Sequence, residues 1–458
     1  MKRKYVFLLF FFICAHVIQA QIKAHVDERF ELTSITFALA GVPEFCDSRV
    51  PSYLQDIITY FTPYEFTEPI NYARELHQKH GIGFDAISNI TTLLEIKKGK
   101  IILKKNIPNV SKIDSRWNEK LFTNYIKMLN LFYKKSNFKK FYNDHREIYE
   151  VAEQQMNRYL TDFNLNNWLY SFYGKNYDQT LNIYISLVNG PHNYAFTGGV
   201  IIGMDSDKNG SPAPNLQTFP ILIHEILHHY SNPIFDSFWN DMKDFANKIY
   251  PFVEKQMNNI AYGSPQAMTL EWLNRLFVLM YLKEINYTTL EFEITQNMQN
   301  GFKWMQRSLN FMDNFYANRE RYRFIEDFMP QLVSFLGFTA NNFESILKEY
   351  EHNKPIITNI FPAPGSSLKG FDKIIITFSQ PMNGSFGFSG IPTNCKPLPV
   401  DFNDIKWSSD KYDFIMKLEH RTEENNLKYG VKLNPTSFQS YKYYKLNENV
   451  NLNLEFLP

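Results

Sequence analysis

The spacing of apolar residues changes near Lys354 and does not change back, and this change limits the folds that the sequence can adopt. From about residue 28 to residue 353, most segments repeat apolar residues every three or four positions, which predicts amphipathic helices. Beyond Lys354 this spacing is lost, and about seven short runs of β-forming residues alternate with turn residues. The sequence therefore predicts an α+β chain, with a mostly helical part followed by an all-β sandwich.

One segment inside the helical part has strand character. The stretch from Thr180 to Ser206 contains two β-rich runs, IYISLV and NYAFTGGVIIG, which predict two strands of a small sheet. Helices then resume, with Thr218 as a predicted N-cap and a predicted helix end at Pro233. Further helical segments follow, including a long one at residues 290–322.

The first twenty residues have the organisation of a secretory signal peptide. Basic residues at positions 2–4 precede an apolar stretch at positions 6–14, and Ala20 provides a small residue at a cleavage point. This stretch is too short to span a bilayer, and no later one reaches that length without charges. We therefore expect an exported chain without stable membrane insertion, located in the periplasm, on the cell surface or outside the cell.

Composition argues against a nucleic-acid partner and against a disulfide framework. The formal net charge is +1 and the mature part has no long basic run, so a nucleic-acid partner is not expected. Only Cys46 and Cys395 follow the signal peptide, which predicts two unpaired and mostly buried thiols rather than a disulfide framework.

The stretch FPILIHEILHHYSNP, at residues 219–233, carries the strongest chemical signal. On a helix, His224 and His228 lie four residues apart on one face and can bind the same ion. Glu225 is placed to act as a general base on water without binding the metal. His229 follows His228 directly, so its side chain points about 100° away around the helix axis, which predicts a structural role. The alternative is a core helix whose histidines make ordinary hydrogen bonds.

A catalytic zinc site needs a third protein ligand, and Glu271 is the best candidate. It lies in the apolar segment MTLEWLNRLFVLMYL, and Arg275 one turn later can pair with it or orient it. The alternative for Glu271 and Arg275 is an isolated i, i+4 ion pair on a half-exposed face of the helix. Glu254 and Glu284 are other candidate ligands, in more polar surroundings.

The HEILH motif with a glutamate on a later helix resembles the gluzincin group of zinc metallopeptidases. The resemblance implies that His224, His228 and Glu271 bind Zn²⁺ and that Glu225 activates water. The chain is also similar to a family of exported bacterial proteins that contain an HExxH helix and have no assigned function. The segments DERFELTSITFALAG, SYLQDIITYFTPY and HEILHHYSNP carry this similarity, over most of residues 25–350. The NExxxD-type signature of well-known gluzincins is not found around Glu271.

The tail resembles bacterial Ig-like domains, on the segments PIITNIFPAPGSS, IIITFSQPMNGSF and YGVKLNP. Together with the signal peptide read from the residues, these likenesses imply three parts. A signal peptide at residues 1–20 is followed by a zincin-like metallopeptidase domain at 21–353, and then by an Ig-like β-sandwich at 354–458. Within the second part, the helical region reaches about residue 175 and the catalytic region covers 176–353. Ig-like domains imply contact with a cell surface or a glycan.

The function expected from these features is zinc-dependent hydrolysis of peptide bonds in a peptide or protein substrate. The negative charge that develops on the oxygen of the scissile carbonyl needs a hydrogen-bond donor in addition to zinc. The candidate donors are Arg275, Tyr230 and Tyr262. One alternative is a non-catalytic secreted binding protein with a structural or vestigial metal site and an adhesive tail. Another is hydrolysis of a non-peptide amide by the same residues.

Overall fold

The computed structural model describes residues 23–174, 182–196, 198–214, 219–419, 427–447 and 452–458. Helices dominate these residues up to His352. After it, all the described elements are strands. This arrangement confirms the α+β class and the predicted order of a helical part before a β part. The backbone divides into two compact units, residues 1–230 and 231–458, which are described in turn.

The first unit is mainly helical up to Tyr173 and ends in strands and the start of a long helix. Its helices before that point are α1 (Glu28–Leu39), α2 (Pro51–Phe61), α3 (Glu68–His80), α4 (Asp85–Thr91), α5 (Val110–Ile113), α6 (Glu119–Lys135), α7 (Phe138–Asp144), α8 (Arg146–Asp162) and α9 (Leu165–Tyr173). Its strands are β1 (Lys23–Val26), β2 (Leu94–Lys97), β3 (Lys100–Leu103), β4 (Asn182–Ser186), β5 (Tyr194–Phe196), β6 (Gly199–Gly203), β7 (Asp205–Ser206) and β8 (Pro212–Ala213).

Four of these strands form a mixed sheet in the order β1-β4-β6-β5. Strands β1, β4 and β6 are parallel, and β5 pairs antiparallel with β6 at the edge. The sequence predicted two strands here, but the second predicted run folds into both β5 and β6. Gly198, which follows β5, has φ +102°, a conformation that glycine adopts readily and that lets the chain reverse.

Helix α1 packs on this sheet through aromatic side chains. Phe30 stacks on Tyr184 of β4 with ring centroids 3.9 Å apart, and both rings belong to a buried cluster with Phe196 and Ile201. The apolar contact fixes α1 against the strands that lead to the histidine helix. Outside the cluster, Glu31 on α1 is fully buried.

The histidine helix, α10 (Phe219–Asn259), is longer than predicted. Pro233, the predicted end, lies inside it, and so does Pro251. A proline inside a helix removes one backbone hydrogen bond, at about 3 kcal/mol. Ile234 and Phe235 are almost fully buried directly after Pro233, and this burial offsets the loss. Thr218, the predicted N-cap, lies outside the described residues, and residues 219–230 of the helix belong to the first unit.

The second unit contains the rest of α10, six further helices and the β part. The helices are α11 (Pro265–Glu284), α12 (Leu290–Gln299), α13 (Met305–Phe311), α14 (Asp313–Ala317), α15 (Ile325–Asn341) and α16 (Phe343–His352). The long helical segment predicted at residues 290–322 is therefore three short helices. The first break contains Gly301 with φ +119°, a conformation outside the helical range.

The β part consists of two sheets that share one core. Its strands are β9 (Ile357–Phe361), β10 (Lys373–Phe378), β11 (Phe388–Gly390), β12 (Cys395–Pro397), β13 (Val400–Trp407), β14 (Asp413–Leu418), β15 (Lys428–Leu433) and β16 (Asn453–Phe456). One sheet has the order β13-β14-β10-β9, and in the other β15 pairs with β11, β12 and β16. Buried side chains from both sheets form a single cluster, which is the arrangement of a sandwich.

Two predictions about the whole chain can be compared with the described residues. Within them, no helix has both the length and the apolar composition needed to cross a membrane. Cys46 and Cys395 are both free, as expected, but the prediction that they are mostly buried was wrong. Cys46 is exposed because it lies at the end of the 3₁₀ helix Pro43–Phe45, where the chain enters an exposed loop that continues with Asp47, and Cys395 is half-buried in β12.

Candidate metal centre

The first turns of α10 place two imidazoles side by side. His224 and His228 are one helical turn apart, so their side chains lie on the same face. Their Nε2 atoms are 3.0 Å apart, and the ring planes are nearly perpendicular at 86°. Two nitrogens bound to one tetrahedral zinc ion at about 2.0–2.1 Å each would be about 3.3 Å apart, so the observed pair is close to that arrangement.

Glu271, on α11, completes a group that can hold a metal ion. One ligand atom from each of His224, His228 and Glu271 lies within 4.8 Å of the other two, and all three residues are half-buried. Two imidazole nitrogens and one carboxylate oxygen are a donor set that suits Zn²⁺. Among the described residues this is the one such group of histidine, cysteine and acidic side chains.

The other two candidate ligands do not belong to this group. Glu254 and Glu284 are both exposed. The Glu284 carboxylate accepts a hydrogen bond of 2.9 Å from the hydroxyl of Tyr316. The structure therefore brings together His224, His228 and Glu271, and leaves the two alternatives outside.

Arg275 lies one turn after Glu271 and makes several polar contacts around it. Its Nε is 3.7 Å from Oε2 of Glu271, which is ion-pair distance. Its Nη2 donates a hydrogen bond of 2.7 Å to the hydroxyl of Tyr262, and its Nη1 donates one of 3.2 Å to Oδ1 of Asn297. The guanidinium carbon also lies 5.6 Å from the Tyr262 ring centroid and 5.7 Å from that of Phe302. These contacts support a role in orienting Glu271.

The ionisable groups around Arg275 are perturbed mainly by burial. Burial raises the pKa of Tyr262 to about 12, while the positive charge of Arg275 acts in the opposite direction. Burial also raises the pKa of Glu293, on α12, to about 7, and Arg275 again opposes the shift. Tyr230, another candidate donor to a developing oxyanion, is buried with its ring 5.1 Å from that of Tyr173. The choice among Arg275, Tyr230 and Tyr262 stays a prediction.

Glu225, the predicted general base, is held by the sheet. Its Oε2 accepts a hydrogen bond of 2.7 Å from the backbone N–H of Ala195, in the edge strand β5. Ala195 lies opposite Val200 in the β5–β6 pair. Because its N–H binds a side chain rather than β6, Glu225 lies on the outer edge of β5.

His229, for which a structural role was predicted, bonds to the neighbouring strand. Its Nε2 lies 3.0 Å from the carbonyl oxygen of Gly199 in β6, and a carbonyl only accepts, so Nε2 carries the proton. Burial lowers the pKa of the imidazole. At Gly199 a Cβ would lie 2.5 Å from the carbonyl oxygen of Asn182, so only glycine fits this position.

Sequence reasoning missed two residues beside the predicted site. Ala195 acts through its backbone, and a backbone contact leaves no signal in residue type. Asn297 contacts Arg275 from a different helix, and a single asparagine in an amphipathic segment carries no pattern that would single it out.

The comparisons with known proteins describe this region without assigning an activity. A family described as "Domain of unknown function (DUF4932)" matches residues 214–335, which is well under half of the chain. The matched span contains all three candidate metal ligands together with Glu225, Arg275 and Asn297. No curated protein matches the chain, and neither does any solved structure.

Proposed function

We propose that the chain is an exported, zinc-dependent peptidase in which His224, His228 and Glu271 bind the metal and Glu225 is the general base. The observation that carries the proposal is the convergence of these three side chains, with one ligand atom of each within 4.8 Å of the others. The residue next to the first histidine is the glutamate that the proposed chemistry requires, and it is held by the backbone of the edge strand.

Each group in this proposal has a distinct chemical part. A bound zinc ion would supply a Lewis acid that polarises the scissile carbonyl and lowers the pKa of water to about 7. Glu225 takes the proton from the attacking water and passes it to the leaving amine. The Ala195 N–H stabilises the charged form of this carboxylate and fixes its orientation. Arg275 keeps the Glu271 carboxylate in place for the metal.

The position of β5 supports an extended peptide as the substrate. This strand ends the order of the four-stranded sheet, so the described strands pair with only one of its sides. A peptide that adds to the outer side would bond to the carbonyl of Ala195, because Glu225 already accepts the N–H of that residue. Glu225 lies on this same side, which would bring the backbone of the substrate close to the general base.

We also propose that the β part is an Ig-like domain that contacts a cell surface or a glycan after export. Its two sheets around a single core support a sandwich architecture. The order of the elements, with the β part after the last helix, supports a module attached to the end of the peptidase part.

The experiment that tests the proposal compares the native chain with Glu225→Gln on a mixture of internally quenched peptides. We expect hydrolysis by the native chain, a rate lower by about 10²–10⁴-fold in the variant, and equal zinc content in both. Glu254→Gln is the matched control, since Glu254 is an exposed glutamate on the same helix, and it should keep the native rate.

Three other outcomes would change the conclusion. Unchanged hydrolysis by Glu225→Gln would contradict the assigned base. Zinc binding without hydrolysis of any peptide would favour the alternative of a secreted binding protein. Cleavage restricted to small non-peptide amides would keep the site and change the substrate class.

A further inference from the structure

Helix α12 (Leu290–Gln299) has different polar partners on two opposite faces. Residues two apart on a helix are separated by about 200°, so Asn297 points away from Thr295 and Gln299. Asn297 and Thr295 are both buried, with 6% and 1% of their surfaces exposed. Their hydrogen bonds are therefore made away from water, where a lost partner is costly.

The Asn297 face contacts Arg275, the residue that pairs with Glu271. The side-chain Nδ2 of Asn297 donates a hydrogen bond of 2.8 Å to the carbonyl oxygen of Glu293, which fixes the orientation of the amide. Its Oδ1 then faces Arg275 and accepts the 3.2 Å bond from Nη1. Arg275 in turn pairs with Glu271. The position of α12 therefore affects the position of the Arg275 side chain.

The opposite face of α12 binds a turn of the C-terminal β part, at residues 440–444. Thr295 Oγ1 donates a hydrogen bond of 2.8 Å to the carbonyl oxygen of Lys442, and Gln299 Nε2 donates one of 2.8 Å to that of Tyr443. The ring of Phe292 meets the Tyr443 ring edge-on, with centroids 5.3 Å apart. These contacts attach both ends of α12 to the turn.

The 440–444 turn is itself held by the β part. The N–H of Tyr443 donates to the carbonyl of Ser440, and the N–H of Ser440 donates to the carbonyl of Tyr444, both at 2.8 Å. Tyr443 has φ +64°, an uncommon conformation for a residue other than glycine. Ser440 also forms a β-bridge with Met382, which connects the turn to the rest of the β part.

We infer that the C-terminal β part is a brace for the third metal ligand. The 440–444 turn holds α12, Asn297 on α12 holds Arg275, and Arg275 holds Glu271. Residues Thr295, Gln299 and Asn297 are positioning residues that act on the metal through Arg275. This inference rests on the proposed metal site. It gives the β part a role within the site, in addition to any contact with a surface or glycan.

The test measures the zinc affinity of the full-length mature protein by competition with a chromophoric chelator. The variant Thr295→Val/Gln299→Met removes both donors and nearly keeps the side-chain volumes, and we expect about tenfold weaker zinc binding. Thr295→Ser keeps the donor and should restore its contribution. Gln380→Leu is the matched control, because Gln380 joins the β part to the carbonyl of Asn353, after α16, and does not bond to α12.

A second measurement separates positioning from general loss of stability. Asn297→Ala interrupts the same series of contacts one step closer to Arg275. If the brace acts through Asn297, adding Thr295→Val/Gln299→Met to Asn297→Ala causes little further loss of affinity. Additive losses would overturn the inference. The absorption spectrum of bound Co²⁺ should change in both variants, because the geometry around the metal changes, and should stay native in Gln380→Leu.

The possible failures are distinguishable. Equal zinc affinity in the native chain and in Thr295→Val/Gln299→Met would overturn the brace and leave the metal site intact. Absence of zinc binding by the native chain would overturn the proposed function itself, and the brace with it.

Discussion

The fully buried glutamate on α1, Glu31, should make the stability of the protein depend on pH. The carboxyl accepts a hydrogen bond of 2.6 Å from the Tyr53 hydroxyl, which also lies 2.7 Å from the hydroxyl of Tyr149. The other carboxyl oxygen of Glu31 accepts a hydrogen bond of 3.2 Å from the backbone N–H of Leu187. Burial outweighs these bonds and raises the pKa of Glu31 from 4.5 to about 7.

The sign of the effect follows from the raised pKa. Between pH 4.5 and about 7 the folded chain binds the proton more tightly than the unfolded chain, so the free energy of unfolding falls as the pH rises. The fall is complete once the pH is above the folded pKa. From pH 5 to pH 8 it amounts to about 2.5 kcal/mol for Glu31 alone.

The assay is urea unfolding followed by fluorescence at pH 5 and pH 8, for the native chain and for Glu31→Gln. Glutamine has nearly the same shape and no titration, so the difference in unfolding free energy between the two proteins should change by about 2.5 kcal/mol between the two pH values. Comparing the two proteins removes the contribution of Glu293, whose pKa is also raised to about 7. The same difference at both pH values would show that Glu31 is not perturbed, and would refute the reasoning.

Two further predictions concern the sheet and the metal site. Gly199→Ala should lower the free energy of unfolding by about 2–3 kcal/mol, because its Cβ would lie 2.5 Å from the backbone oxygen of Asn182. Gly263→Ala, where the nearest atom is 3.5 Å away, should change thermal stability little, and equal losses in the two variants would contradict the argument. Arg275→Met should weaken zinc binding by about 10–100-fold in a chelator competition, because Glu271 loses its ion pair, and native affinity in the variant would exclude this orienting role.

The parts of the site that depend on local geometry could be predicted from sequence. Four-residue spacing on a helix brings His224 and His228 together whatever the rest of the fold does. Glu271 could be proposed because a carboxylate in an apolar helix needs a partner, and the structure brings it to the histidines. The limits of the predicted domains and the roles of these residues stay predictions.

The parts that depend on tertiary packing could not be predicted. Because proline disfavours a helix interior, the sequence predicted that α10 ends at Pro233. The helix instead continues to Asn259, and the residues directly after Pro233 are buried. The contact of Glu225 with Ala195 joins residues 30 positions apart through a backbone N–H, which no residue type reveals. Asn297 likewise contacts Arg275 across two helices that are separated by a loop. In each case the partner is decided by the packing of whole elements.

The measurement that tests the central claim most directly is the metal content of the purified mature protein and of Glu271→Ala, by mass spectrometry after zinc is supplied. We predict about one zinc ion per native chain, as expected for a three-ligand site, and much less in the variant. Zinc retained in Glu271→Ala would move the third ligand to another residue. No metal in either protein would contradict the account, and would leave His224 and His228 as ordinary residues of a helix.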